Sequence, residues 1–222
     1  MKVRAIITGA TGMVGEGVLL HCLQSPDVDE VLVINRKPVA RSHPRLREVL
    51  LPDFFDLSLL EGKLTGYNAC FFCLGMSSVG MDKEEYRHRT YDLTLGFAQE
   101  LARHSPDATF CYVSGMGTDS SEQGRSAWAR VKGATENALL RLFSSAYMFR
   151  PGMMRAVPGQ KNLKLSYKLL AWVYPIGRAL YPAAFCTLEE VGESMIHAVT
   201  RGYPKRVLEV KDIVELAKAP SP

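Results

Sequence analysis

Short apolar runs alternate along this chain with stretches whose apolar residues recur every three to four positions. "VRAIIT" (Val3–Thr8) predicts a first strand, with a helix following to about Gln24. "EVLVIN" (Glu30–Asn35), "REVLLPD" (Arg47–Asp53), "ACFFCLG" (Ala69–Gly75), "ATFCYVSG" (Ala108–Gly115) and "AYMFRPG" (Ala146–Gly152) predict further strands. Helical patterns fall over about Lys83–His104, where Leu93, Phe97 and Leu101 share a face, and over about Gly124–Phe143. Near-continuous apolar strands alternating with helices predict a doubly wound parallel sheet covered on both faces, an α/β fold.

Beyond Gly152 the pattern changes. Met153–Cys186 is basic, aromatic and broken by Pro175 and Pro182. Leu165, Leu169, Trp172 and Val173 form an apolar stripe there, beside Lys161, Lys164 and Lys168. Such a stripe suits a lid, a patch docking on a membrane or partner, or a helix packed over the open end of the sheet; the packed helix is preferred to membrane docking. "TLEEVGESMIHAVTRG" opens with a capping box, Thr187 to Glu190, and stops at Gly202. "RVLEV" reads as a last short strand and "APSP" as a loose tail. The expected organisation is one domain, with a dinucleotide-binding core over 1–152 and a variable lid or substrate segment over 153–222.

Composition narrows the picture. The 222 residues suffice for a core without metal or disulfide support, and a net charge of +4 is too weak to argue for nucleic acid. No run of about 18 apolar residues exists to span a membrane, and "MKVRAIITGA" lacks a signal peptide's apolar region. Cys70 and Cys73 have redox-motif spacing, yet on a strand they point to opposite faces, so packing explains them better than a disulfide. A reducing cytoplasm is expected.

The chemistry starts in "ITGATGMVGEG", directly after the first strand. Gly9, Gly12 and Gly15 have the spacing of a strand-to-helix turn that lets a diphosphate approach bare backbone, with the helix N-terminus offering free N–H groups. At the end of the second strand, where a carboxylate would hold the ribose of NAD, stand Asn35, Arg36 and Lys37. A guanidinium there can stack on adenine and pair with a 2′-phosphate, so NADP(H) is expected over NAD(H).

These residues resemble the short-chain dehydrogenase/reductase superfamily in its atypical and extended branches, close to the Tat-interacting-protein-like and NmrA-like groups. The likeness covers about Val3 to Met153. It implies a Rossmann-type fold and a cofactor site at Gly9, Thr11, Gly12, Met13, Val14, Gly15, Asn35, Arg36 and Lys37. "DFFDL" adds Asp53 and Phe54 at the adenine, and "CLGMSS" adds Leu74 and Gly75 at the ribose. "FRPGMM" adds Arg150, Pro151, Gly152 and Met153 beside the nicotinamide. Ser114 matches the catalytic serine, and Lys132 the lysine of the Tyr-x-x-x-Lys pair, which binds ribose and tunes the tyrosine. The tyrosine's place is held by Trp128, whose indole N–H donates but does not ionise. Proton transfer must then come from elsewhere: Tyr86, Tyr91, a residue of the later segment, or water held by Ser114. The resemblance implies an oxidoreductase acting on a small carbonyl or alcohol substrate, with Ser114 polarising its oxygen. The alternative is a non-catalytic NADP(H)-sensing regulator or interaction protein. Superfamily likeness also implies a homodimer.

Overall fold

The computed structural model describes residues 1–163 and 174–219. The stripe of Leu165, Leu169, Trp172 and Val173, with Lys164 and Lys168, lies outside the described residues. Strands β1 (Val3–Thr8), β2 (Val28–Asn35), β3 (Leu46–Leu50), β4 (Ala69–Phe72), β5 (Thr109–Val113), β6 (Ala146–Arg150) and β9 (Val207–Glu209) form one sheet in the order β3-β2-β1-β4-β5-β6-β9. Every pairing is parallel. The chain moves outward from β1 to β3 and returns to the other side of β1 at β4. That reversal leaves a crevice at the carboxyl ends of β1 and β4, where ligands bind in such sheets.

Helices α1 (Met13–Gln24), α4 (Ala127–Leu142) and α6 (Leu188–Arg201) cover the sheet, together with a rod made of α2 (Lys83–Arg87), a π-turn (His88–Asp92) and α3 (Leu93–His104). Strand alternation divides the core. Val3, Ala5 and Ile7 face one cluster with Val18, Leu19, Val191 and Met195. Ile6, Phe72, Phe110 and Tyr112 face the other with Phe97, Leu101 and Leu139. Cys70 belongs to the second cluster and Cys73 packs on the first, the opposite facing expected of i and i+3 on a strand. All five cysteines are free.

The fold follows the predicted pattern through β6 and adds structure beyond it. Met153–Arg155 (β7) pairs with Phe185–Thr187 (β8) in a separate two-stranded sheet, and α5 (Tyr174–Leu180) precedes β8. Three-residue strands carry too little periodicity to be read from sequence. The predicted strand "RVLEV" shortens to β9, and the chain turns at Glu209 into α7 (Val210–Ala217), with Asp212 closing a capping box. The box at Thr187 and Glu190 forms as expected, and Gly202 ends α6 at φ +72°. Among the described residues no helix is long and apolar enough to cross a membrane.

Candidate functional site

The turn after β1 is built around two glycines. Gly9 has φ +71°, and a Cβ there would lie 2.7 Å from the Leu74 amide nitrogen. A Cβ on Gly15 would lie 2.3 Å from Gly9 O, so α1 starts flush against the strand end. The helix begins at Gly12 without a side-chain cap, which leaves its first-turn amides and positive dipole end for an anion. Beside it opens a cleft of about 700 Å³ lined by Gly9, Thr11, Asn35, Arg36, Lys37, Phe54 and Leu74, with Glu16 and Lys161 at its wall. Asn35 is buried; its Oδ1 accepts from Ala10 N at 3.0 Å, while its Nδ2 has no partner among the described residues. An orphaned buried donor beside a glycine cradle fits a ligand with phosphate and ribose oxygens.

A second cleft of about 520 Å³ begins at Gly12, Met13 and Val14 and runs past Gly75, Ser114, Trp128, Lys132, Tyr86 and Pro151. Trp128 and Lys132 lie one turn apart on α4, and both reach it. Lys132 Nζ donates to Val113 O at 3.3 Å and sits 4.9 Å from the centre of the Tyr112 ring. Burial lowers its pKa from 10.5 to about 8, with the Glu136 carboxylate opposing the shift. Tyr86 is 4% exposed, and burial pushes its phenol above the ordinary range against a smaller effect of Thr90. Tyr91 instead lies under the Arg87 guanidinium, 4.3 Å away. Of the two tyrosines considered from sequence, Tyr86 alone lines the cleft.

Two predicted residues have partners that change their roles. Ser114 Oγ donates to Glu136 Oε1 at 2.5 Å, with Phe149 O at 3.1 Å. Its single proton is therefore committed, which leaves the oxygen as an acceptor and opposes the expectation that it polarises a carbonyl. Arg150 does not line either cleft. Its guanidinium is held by both oxygens of Glu136, by Glu209 at 3.0 Å and by Ser120 at 2.5 Å, so its work is to hold β6 against α4. Gly152 backs onto Ala184 O and Asp53 is exposed, with its Oδ1 capping Phe55 N; Pro151 and Phe54 are the neighbours that reach the clefts. Met153 lies in β7. Sequence reasoning did not single out Glu16 or Glu136. Glu136 stands one turn after Lys132, a spacing that flags it once Lys132 is buried.

No family model matches the chain. Protein fmp52, mitochondrial, of Aspergillus clavatus is 30% identical over 169 residues, which cover 70% of this chain and 67% of that protein. The chain belongs to the fmp52 family. A second fmp52 protein, from Eremothecium gossypii, is 26% identical over 225 residues and matches 97% of its length. Leucinostatins biosynthesis cluster protein T of Purpureocillium lilacinum is 32% identical, but the match spans 41% of that longer protein. Among solved structures, ADP-L-glycero-D-manno-heptose-6-epimerase of Helicobacter pylori superposes with a TM-score of 0.68 at 17% identity, covering 98% of this chain and 82% of the epimerase. The dTDP-glucose 4,6-dehydratase DesIV of Streptomyces venezuelae, solved with NAD bound, gives 0.67 at 18% identity over 97% of this chain and 80% of that one. These likenesses establish a Rossmann-type fold for this fmp52-family chain.

Proposed function

We propose that the protein binds NADP(H) across the two clefts and acts as an oxidoreductase on a small carbonyl or alcohol substrate. The observation that carries this reading is that the glycine turn lines both clefts, Gly9 and Thr11 the one and Gly12, Met13 and Val14 the other. One half holds cations and an aromatic ring, Arg36, Lys37 and Phe54; the other holds Ser114, Lys132, Tyr86 and Trp128. That division suits an adenosine 2′-phosphate at one end and a nicotinamide at the other. A bound nicotinamide supplies or takes a hydride at its C4. Lys132 has two N–H bonds beyond the one given to Val113 O, and these serve ribose hydroxyls. Tyr86, held protonated by its burial, gives the proton to the product oxygen as a carbonyl is reduced. Ser114 Oγ, already donating to Glu136, accepts from the substrate hydroxyl and so orients it.

A non-catalytic, NADP(H)-responsive regulator is the second reading, favoured by Trp128 at the tyrosine's position and by the commitment of the Ser114 proton. NADPH consumption against a panel of carbonyl compounds separates the two. Turnover by the wild type that falls with Tyr86→Phe supports the oxidoreductase; an inert wild type that NADPH nevertheless stabilises against heat supports the regulator. Thermal stabilisation by NADH equal to that by NADPH would contradict the cofactor preference assigned to Arg36.

A further inference from the structure

Val157-Pro158-Gly159-Gln160 forms a tight turn in which Gly159 has φ +81° and Gln160 N donates to Val157 O at 3.4 Å. Proline followed by a glycine of positive φ is the composition of a type II turn. The turn is tied across the start of α1. Gln160 Nε2 donates to Met13 O at 2.7 Å. The backbone N–H groups of Lys161 and Asn162 donate to the two oxygens of Glu16, at 2.9 and 2.7 Å. From the loop after β2, Arg41 Nη2 donates to Gly159 O at 2.7 Å and to Glu16 Oε1 at 3.2 Å.

Glu16 is 3% exposed, in the first turn of α1, whose amides have no side-chain cap. An unpartnered carboxylate at that place would repel an anion at the helix N-terminus. In this fold two amides and a guanidinium occupy its oxygens, so the residue fastens one segment to another instead. The fastened segment places exposed Lys161 on the wall of the cleft that holds Arg36 and Lys37.

We infer that Val157–Asn162 is a strap over the adenosine half of the crevice, latched by Glu16, and that it delivers Lys161 as a further cation for the ribose 2′-phosphate. The inference rests on the proposed binding of NADP(H). Arg36 offers a planar fork and Lys161 a compact charge, and NADH, which lacks the 2′-phosphate, gives neither that group to grip. Lys161 therefore acts on the choice between the nucleotides, while the latch acts whether or not a nucleotide is present.

The test uses the full chain, with wild type, Lys161→Met, Glu16→Ala and Gln160→Ala compared after circular dichroism confirms folding. NADPH and NADH binding are titrated by nucleotide fluorescence, and tryptic cleavage after Lys161 is followed by mass spectrometry. Lys161→Met is expected to weaken NADPH about fivefold, as for one partly exposed ion pair, and to leave NADH unchanged. Glu16→Ala and Gln160→Ala are expected to be cut after Lys161 faster than wild type without nucleotide, and NADPH is expected to slow the cut in wild type. An unchanged NADPH-to-NADH ratio in Lys161→Met, with wild type still binding NADPH, overturns the assignment of Lys161 while the cofactor reading stands. Equal cutting of wild type and both latch variants overturns the latch. A wild type that binds neither nucleotide overturns the cofactor reading and the role of Lys161 together.

Discussion

Ser114 Oγ and Arg150 Nε converge on one oxygen of Glu136, at 2.5 and 3.0 Å. The three residues come from the end of β5, the end of β6 and the middle of α4, so a carboxylate that is 0% exposed ties the carboxyl-end side of the sheet to its covering helix. Removing one member of a buried ion pair leaves the other charge uncompensated, typically at about 3–5 kcal/mol. Glu136→Ala is expected to lose that much in urea unfolding, and Glu136→Gln less, because the amide oxygen still accepts from Ser114 or Arg150. A loss below about 1 kcal/mol in Glu136→Ala, the range of an exposed pair, would contradict a structural role for this carboxylate.

Much of this arrangement was legible in the sequence, because the strongest signals are local. Gly9, Gly12 and Gly15 between a β-branched strand and a helix define the crevice, and the four-residue step from Trp128 to Lys132 puts both on one face. The missing parts depend on contacts between distant segments. "FRPGMM" resembles the short-chain dehydrogenase/reductase turn in sequence, but whether the Arg150 side chain turns to a cleft or to Glu136 depends on α4. Gln160 meets Met13 across 147 residues of sequence, which no periodicity reports. The π-turn after Tyr86 is likewise invisible to a period of 3.6, although it precedes the helix face that buries Phe97 and Leu101.

Gly9 and Gly62 share nearly the same backbone, φ +71° and +69°, but differ in surroundings. A Cβ on Gly9 meets backbone of Cys73 and Leu74 within 2.8 Å; one on Gly62 meets nothing within 4 Å among the described residues. Left-handed geometry alone costs an alanine about 1–2 kcal/mol. Gly62→Ala is expected to lose only that, whereas Gly9→Ala adds an overpacking cost of about 1–3 kcal/mol. Thermal melting of the two variants measures the difference. Equal losses would mean that the turn tolerates a methyl group and that close backbone approach is not what requires glycine there.

Lys132 sets a pH dependence. Its pKa in the folded protein is about 8, below the ordinary value of 10.5, because burial disfavours the ammonium. Between those values the unfolded chain binds a proton that the folded chain has released, so this group makes stability rise with pH across that window. Below pH 8 the folded state carries the buried ammonium at a cost. Denaturant unfolding of wild type and Lys132→Met from about pH 7 to 10, with the difference plotted, is expected to show wild type gaining on the variant as pH rises through 8. A flat difference would place the ammonium in solvent. NADPH affinity should move the opposite way, weakening above pH 8 as the charge facing the ribose is lost, and Lys132→Met should remove that dependence.

Trp128 offers the sharpest test of the proposed chemistry, since the resemblance puts it where a tyrosine would stand. It lies one helical turn before Lys132 and faces the same cleft, with its ring resting near Gly117. The indole N–H cannot ionise, so it can hold a substrate oxygen but not exchange a proton with it. Trp128→Tyr would place a phenol one turn from a buried ammonium, which lowers a phenol's pKa and prepares it as an acid or base. If Tyr86 supplies the proton in the wild type, carbonyl-dependent NADPH consumption should fall about a hundredfold or more in Tyr86→Phe, the usual range of general acid catalysis. Adding Trp128→Tyr to that variant should then restore turnover, with a pH profile shifted toward neutrality. Restoration from an inert wild type would instead show that the cleft binds the reactants correctly and lacks only the acid. No turnover in any of the three proteins, with NADPH bound, would remove hydride transfer from this cleft and leave Trp128 as part of a nucleotide-dependent binding surface.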